Sequence, residues 1–256
     1  MIIYGSGETE EEATKDHDRN LRAFLTRCRE KGIKLNQKKL QLSQLRAKEV
    51  QYMEHVITDK GLQADPEKTE AIQKMRKPED VKAVRRFCGF VNYLARFLPK
   101  LSDVREPLRQ LTHQNVPWVW THEHDKAFDQ VKQMVTTTPL LKYYDPREEL
   151  TIQCDSSESG LGAALTQKGQ PIAFASRAMT DTETRYAQIE KEMLSVVFAL
   201  QKFDQYVYGR PVTVENDHRP LEVIAMKPLR NAPKRLQGMV LKAQGTTSRL
   251  STSLVT

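Results

Sequence analysis

Residues 150–165 constrain the fold more than any other stretch of this sequence. From Thr151 to Asp155, apolar and polar residues alternate, which is the pattern of a half-buried β-strand. Gly160 and Gly162 then punctuate a second apolar run, as expected for the next strand of a hairpin. The stretch therefore predicts two neighbouring strands, with Asp155 at the point where the first one ends.

Asp155 has two interpretations. An Asp at a strand end is most often a turn former without a chemical role. Farther along the chain, however, a long amphipathic helix is followed by a Val/Thr-rich strand that ends in Asp217. Hard cations such as Mg²⁺ need clustered oxygen ligands, and two-metal phosphodiester chemistry needs carboxylates that converge from different elements. The alternative is therefore a metal site to which several of these elements contribute.

The helix between the two strands is predicted at residues 183–206. Its apolar stripe indicates that one face packs on the sheet. Glu190 and Glu192 flank this stripe on opposite sides, so periodicity alone does not select either one as a ligand. The default interpretation of each is an ordinary glutamate on a helix surface.

The composition is that of a globular protein with a basic surplus. The chain has 256 residues, enough for two small domains, and a formal net charge of +7, which suits a polyanionic partner. It contains no apolar run long enough to span a bilayer, so we expect a soluble, intracellular protein that does not bind membranes. Cys28, Cys88 and Cys154 are isolated in apolar surroundings and are predicted to be reduced core residues.

The first half of the chain is predicted to be mainly helical. Helices are expected at residues 8–31, 81–98 and 123–135. A further helix is expected to begin after the cap formed by Asp65 and Pro66. Short strands are expected at 40–42 and 50–57. Trp118 and Trp120 are predicted to pack this region against the segment that follows.

One side of the predicted helix 81–98 is polar and basic. It carries Lys82, Arg85, Arg86, Asn92 and Arg96. This side is either an ordinary solvated surface or a face that follows the backbone of a nucleic-acid duplex. In the second case Gly89, which interrupts the row, would permit close approach to the duplex.

Five short motifs occur in order between residues 146 and 243. They are Gln153-Cys-Asp-Ser-Ser, Gly160-Leu-Gly-Ala-Ala-Leu, Ala175-Ser-Arg, Ile189-Glu-Lys-Glu-Met-Leu and Asp217-His-Arg-Pro-Leu. Together they resemble the RNase H domain of gypsy-class LTR-retrotransposon polyproteins. Residues 1–145 resemble the end of the same reverse transcriptase, including its thumb at Arg86-Phe-Cys-Gly-Phe-Val-Asn-Tyr. The resemblance favours the duplex-following interpretation of the basic helix.

The resemblance implies an α/β (α+β) fold. An RNase H-like mixed β-sheet with flanking helices would follow a partial reverse-transcriptase palm and a helical thumb. The implied segments are a palm remnant at 1–60, a thumb at 61–115, a connection at 116–145, an RNase H-like domain at 146–243 and a tail at 244–256. The tail has no helix or strand period and no acidic group, so it is predicted to be disordered.

The resemblance also implies a site. Carried over residue by residue, the catalytic and metal-binding carboxylates are Asp155, Glu192 and Asp217, which selects Glu192 over Glu190. In the family they hold two Mg²⁺ ions across the scissile phosphate of the RNA strand in an RNA–DNA hybrid. The family has a fourth carboxylate on a C-terminal helix beyond one more strand, but no acidic residue follows Glu222 here. We therefore expect the second metal position to be weakened and the sheet to have an open edge.

Three functions remain open at this stage. The first is an RNase H endonuclease fragment of an RNA-directed DNA polymerase polyprotein, whose hydrolysis is expected to be weak or lost because the fourth carboxylate is absent from this sequence. The polymerase Asp-Asp pair is absent as well. The second is a catalytically inactive remnant that binds nucleic acid, and the third is a purely structural fragment.

Overall fold

The computed structural model describes residues 3–36, 49–52, 55–216, 233–246 and 249–254. The chain divides into two compact units, residues 1–52 and 53–256. The first unit contains helix α1 (Glu10–Glu30) and strand β1 (Glu49–Tyr52). The Thr9 side chain caps α1 by accepting a hydrogen bond from the backbone N–H of Glu12 at 3.3 Å, which confirms the helix predicted at 8–31. The strand predicted at 40–42 lies outside the described residues.

The second unit begins with two short strands and a set of helices. Their bounds are β2 (His55–Thr58), β3 (Leu62–Ala64), α2 (Pro66–Gln73), α3 (Val81–Tyr93), a 3₁₀ turn (Ala95–Phe97), α4 (Leu101–Val104), α5 (Glu106–Gln110) and α6 (His122–Thr136). Strands β2 and β3 are antiparallel. Asp65 caps α2 as predicted, because its carboxylate accepts a hydrogen bond from the backbone N–H of Glu67 at 2.9 Å.

These helices share one hydrophobic core. Its fully buried members include Ile72, Phe87, Phe97, Leu108 and Val131. Trp118 and Trp120 pack against this core while remaining partly exposed, in line with the prediction for them. The core fixes α3 relative to the segment that follows it, which matters for the surface described below.

The helix predicted at 81–98 is wrong at its C-terminal end. Helix α3 ends at Tyr93, and the chain continues as a 3₁₀ turn over Ala95–Phe97. Leu98 has an extended backbone (φ −112°, ψ 105°) and precedes Pro99, whose ring disfavours a helical conformation of the preceding residue. The α-helix therefore cannot continue through Leu98.

A five-stranded mixed sheet follows in the second unit. Its strands are β4 (Leu150–Ser156), β5 (Gly160–Gln167), β6 (Gln170–Ala178), β7 (Pro211–Asn216) and β8 (Arg249–Leu254), in the spatial order β6-β5-β4-β7-β8. Strands β4, β5 and β6 are antiparallel, whereas β7 is parallel to β4 and β8 is parallel to β7. The sheet confirms the predicted α/β fold and the hairpin predicted at 150–165.

Helices α7 (Gln188–Lys202) and α9 (Lys234–Thr246) pack on each other, and α7 packs on β4 and β5. A short helix, α8 (Asp204–Val207), follows α7. The helix predicted at 183–206 is therefore wrong at both ends. Tyr186 and Ala187 are extended, and the Glu190 carboxylate accepts a hydrogen bond from the backbone N–H of Ala187 at 3.2 Å, so α7 begins only at Gln188.

The prediction of a disordered tail at 244–256 is wrong for the described residues of that range, 244–246 and 249–254. Helix α9 extends to Thr246, and Arg249–Leu254 form β8, which pairs in parallel with Pro211–Asn216 of β7. Because β8 is the edge strand, pairing with β7 satisfies the backbone hydrogen-bonding groups along one side of this segment, whatever its side-chain pattern. The open edge expected beside β7 is likewise covered. In the described ranges, no helix combines the length and the apolar character needed to cross a bilayer.

Candidate active site and nucleic-acid interface

Asp155 lies near the C-terminal end of β4, opposite Gly162 of β5. Ile152 and Cys154 point into the core, so the strand alternation places Asp155 on the other side, where its side chain is 41% exposed. Strand β4 is central in the sheet, between β5 and β7. The backbone beneath Asp155 is therefore fixed while its carboxylate is open to solvent.

Glu192 lies on α7 and is buried, with 3% of the residue exposed. Its Oε1 accepts hydrogen bonds from Ser156 Oγ at 2.7 Å and from Gln188 Nε2 at 2.5 Å, and its Oε2 accepts one from Asn216 Nδ2 at 3.1 Å. All three donors are uncharged. Among the described residues the carboxylate is therefore held in one orientation without a neutralising cation.

Three elements meet around Glu192. Ser156 is the residue after Asp155 on β4, and Asn216 is the last residue of β7. Asn216 Nδ2 also donates a hydrogen bond to the Cys154 carbonyl at 3.2 Å. The pKa of the Cys154 thiol is raised to about 12, chiefly by burial and to a lesser extent by the carboxylates of Glu192 and Asp155, while hydrogen bonds with Ser195 and Asn216 act in the opposite direction. The structure therefore brings Glu192 to the residue adjacent to Asp155.

Asp217, the third predicted ligand, lies outside the described residues. Its position in the site stays a prediction. It follows Asn216 in the sequence, at the end of the strand that runs parallel to β4 with Gln153 opposite Glu215. Over the described ranges, no three His, Cys, Asp or Glu side chains are grouped so that they could hold a metal ion.

Glu190 has different surroundings from Glu192. Arg235 of α9 donates hydrogen bonds to both of its carboxylate oxygens, at 3.1 and 3.0 Å, and Glu190 also caps α7. Arg235 in turn lies over the ring of Tyr186, 4.1 Å from its centroid. Glu190 therefore fastens α9 to α7, whereas Glu192 faces the strand ends.

Comparison with known proteins agrees with this architecture. A family described as the RNase H-like domain found in reverse transcriptase matches residues 120–214. The C-terminal fold is that of an RNase H-like domain. Its elements are the mixed sheet and the helix α7, which packs on β4.

The chain is similar to part of several transposon Pol polyproteins. It is 37% identical over 225 residues to the retrovirus-related Pol polyprotein from transposon 412 of Drosophila melanogaster, a match that covers 86% of this chain and 18% of that protein. It is 30% identical over 223 residues to the protein from transposon 297 of the same organism, covering 86% and 20%. This chain thus spans about a fifth of the curated relatives it matches.

Solved structures show the same fold. A foamy viral protease-reverse transcriptase in complex with an RNA/DNA hybrid superimposes with a TM-score of 0.68 at 23% identity, covering 81% of this chain and 29% of that chain. A form of the protein in complex with double-stranded DNA superimposes with the same TM-score and identity, and the match covers 81% of this chain and 38% of that chain. At this identity the likeness concerns the fold alone.

Arg177 and Glu183 position the start of α7 in the RNase H-like domain. Both guanidinium Nη atoms of Arg177 donate to the Glu183 carboxylate, at 2.7 and 2.8 Å, and the backbone N–H of Thr180 donates to it at 2.8 Å. The Arg177 hydrogen bonds lower the pKa of Glu183 to about 2. This bidentate pair secures the turn between β6 and α7, and thereby the direction in which α7 presents Glu192.

Four of the five residues predicted to face nucleic acid are exposed on α3: Lys82, Arg85, Arg86 and Asn92. Two aromatic side chains, Phe90 and Tyr93, are also exposed on this helix. An added Cβ at Gly89 would meet no atom within 4 Å, so the helix surface is open there. A basic surface with exposed aromatic rings is suited to contacts with phosphates and bases.

Arg96 does not belong to this surface. Because α3 ends at Tyr93, Arg96 lies in the 3₁₀ turn, partly buried, and its Nη2 donates a hydrogen bond to the Tyr206 hydroxyl at 3.0 Å. Tyr206 belongs to α8 of the RNase H-like domain. Arg96 thus connects the helical part with that domain, and the prediction that it continues the face of α3 is wrong.

Sequence analysis missed Lys100, the cation that contacts Asp155. Lys100 Nζ lies 2.6 Å from Asp155 Oδ2, across a sequence separation of 55 residues. No motif or periodicity connects the two positions. Only the packing of α4 on β5 and β6, and of the preceding 3₁₀ turn on β6, brings them together.

Proposed function

We propose that this chain derives from the reverse transcriptase and RNase H region of a gypsy-class LTR retrotransposon and hydrolyses the RNA strand of RNA–DNA hybrids. The observation that carries the proposal is the convergence at the strand ends, where Ser156 and Asn216 both donate to the buried Glu192 carboxylate. Asp155 lies beside Ser156 with an accessible carboxylate. Such a placement suits phosphodiester chemistry at the rim of the sheet.

The donors present suit Mg²⁺, because carboxylate oxygens are the hard ligands that this ion prefers. The Lys100 ammonium on Asp155 also indicates that this carboxylate attracts a cation. Asp155, Glu192 and Asp217 would hold the metal. When bound, Mg²⁺ would supply activation of water and stabilisation of charge at the phosphate. Of the chain's own groups, Ser156, Gln188 and Asn216 keep the Glu192 oxygens oriented for this role.

The basic surface of α3 is proposed to bind the substrate backbone. Lys82 and Arg86 also line a cleft of about 330 Å³ together with Arg76 and Lys77, and the acidic residues Glu79 and Asp80 border it as well, so cationic side chains outnumber anionic ones by four to two. Neutralisation of phosphates by such residues gives binding that weakens as salt rises. The foamy viral protein of similar fold was solved with an RNA/DNA hybrid, which supports the proposed substrate class.

We expect slow hydrolysis. Three carboxylates of the proposed set occur in this sequence, and no acidic residue follows Glu222. Loss of a group that stabilises transition-state charge typically costs about 10²–10³ in rate. An assay should therefore use excess protein over substrate and long incubation.

The test is cleavage of an RNA–DNA hybrid labelled on its RNA strand, in the presence of Mg²⁺. The unaltered chain is expected to produce labelled fragments, and Asp155→Asn is expected to abolish them because it removes the accessible anionic ligand. Asp204→Asn, which removes an exposed carboxylate from α8, serves as the matched control and should cleave normally. Equal cleavage by Asp155→Asn would contradict the proposal.

A second candidate function is binding of nucleic acid without catalysis. The observations that favour it are the basic surface of α3 and the ion pair that engages Asp155 with Lys100. It predicts hybrid binding that weakens with salt and no cleavage by the unaltered chain or by either variant. The same assay, with a filter-binding measurement at two salt concentrations, therefore separates the two functions.

A further inference from the structure

Lys100 places a positive charge at the candidate active site from outside the sheet. It precedes α4 in the helical part of the second unit, and its ammonium lies 2.6 Å from Asp155 Oδ2. The described groups that hydrogen-bond to Glu192, the other proposed ligand with described surroundings, are all uncharged. Among the carboxylates proposed to hold metal, Asp155 is thus the one shown in contact with a cation of the chain itself.

The segment around Lys100 is fastened to the sheet at two further points. The backbone N–H of Ser102 donates to Ser176 Oγ at 3.0 Å, and Ser157 Oγ donates to Asp103 Oδ1 at 2.8 Å. The approach is close, since a Cβ added to Gly160 would lie 2.0 Å from Asp103 Oδ1. The position of Lys100 therefore follows from a docked backbone and not from the reach of its flexible side chain alone.

The backbone of Lys100 is itself unusual. Its φ of +50° and ψ of 28° lie in the left-handed region, which a residue with a side chain adopts at some cost. Lys100 lies between the 3₁₀ turn and α4, as the residue directly before α4. This conformation places the lysine where the docked segment passes the end of β4.

We infer that Lys100 is a positioning residue that occupies the cation position at Asp155 and competes with the divalent ion for that carboxylate. The inference rests on the proposed function, because it concerns the same metal site. A divalent ion bound to Asp155 Oδ2 has to displace the ammonium, since both would bind the same oxygen. Lys100 thus holds Asp155 oriented in the absence of metal and lowers the apparent metal affinity.

The inference predicts tighter metal binding when the ammonium is removed. Lys100→Met keeps a long side chain but has no charge, so Mn²⁺ would bind without displacing an ion pair and without repulsion by a nearby cation. For a pair this exposed, we expect affinity to rise by about three- to tenfold at low salt and by less at high salt. Lys100→Arg keeps the charge and should stay near the affinity of the unaltered chain.

The measurement is a titration with Mn²⁺ alone, in which electron paramagnetic resonance reports the free ion. Lys168→Met is the matched control: Lys168 also has a φ of 50°, is also exposed, and its Nζ pairs with Glu148 Oε1 at 2.9 Å. It lies at the turn between β5 and β6, away from Asp155, and removes the same charge. Circular dichroism of each variant verifies that it is folded.

The possible outcomes are distinct. Tighter Mn²⁺ binding in Lys100→Met, with Lys168→Met unchanged, supports the inference. Binding that depends on Asp155 but is equal or weaker in Lys100→Met overturns the inference and leaves the proposed function standing. If Asp155→Asn changes nothing because no variant binds Mn²⁺, both the inference and the proposed metal site fail.

Discussion

Replacing Glu192 with glutamine is expected to slow cleavage of an RNA–DNA hybrid by about 10²–10³-fold. The glutamine side chain has the same size, so the core around α7 should be preserved. It has no negative charge for a metal ion, and its amide nitrogen cannot accept a hydrogen bond from Asn216 or Ser156. Single-turnover cleavage with Mg²⁺ measures the change.

Glu190→Gln is the control that the chain offers, because it makes the same chemical change two residues away. Glu190 is engaged by Arg235 and by the N–H of Ala187, so its loss is expected to loosen α9 from α7 while leaving cleavage largely intact. A greater loss of cleavage in Glu190→Gln than in Glu192→Gln would show that the assignment of the catalytic glutamate is wrong.

Replacing Ile152 with alanine is expected to lower the free energy of unfolding by about 2–5 kcal/mol. Ile152 is 0% exposed on the central strand, opposite Leu165 of β5 and Val214 of β7, so truncation leaves a cavity where three strands meet. A domain is commonly stable by about 5–15 kcal/mol, so the loss is a large share of the total. Urea unfolding followed by far-ultraviolet circular dichroism measures it.

The graded control at this position is Ile152→Val, which removes one methylene and should cost about 0.5–1.5 kcal/mol. The unfolding midpoint should therefore fall in the order isoleucine, valine, alanine. If alanine were no more destabilising than valine, Ile152 would not lie in the close-packed core that the structure gives it.

The parts of the fold that sequence analysis predicted correctly depend on local patterns. The alternation from Thr151 to Asp155 and the glycines of β5 are readable within a few residues, and the hairpin is confirmed. The cap formed by Asp65 and Pro66 is equally local. Such signals do not depend on which distant segment packs against them, so one sequence is sufficient to find them.

The choice between Glu190 and Glu192 shows where local information ends. Both flank the apolar stripe of α7, and periodicity left them equivalent. Their roles differ because Arg235 of α9 reaches one and Asn216 of β7 reaches the other, at sequence separations of 45 and 24 residues. Only the resemblance to a known family selected Glu192, and its catalytic role stays a prediction.

Two features could not be predicted because backbone packing alone creates them. Lys100 meets Asp155 through a docked segment 55 residues away in sequence. Strand β8 comes from a polar stretch that lacks a strand pattern, yet the edge of β7 offers backbone partners along its whole length. The prediction for Arg96 was wrong for a related reason. Helical spacing placed Arg96 on the face of α3, but α3 ends before Pro99 and the Arg96 side chain contacts Tyr206 instead.

Calorimetric titration of Mg²⁺ tests most directly whether Asp155, Glu192 and Asp217 share one pocket. Each single substitution to the amide is expected to weaken the same binding event. Any two combined are expected to weaken it by less than the sum of their separate effects, because residues that bind one ion are coupled. Substitutions that leave Mg²⁺ binding unchanged, or whose effects add as those of independent sites do, would contradict a shared pocket.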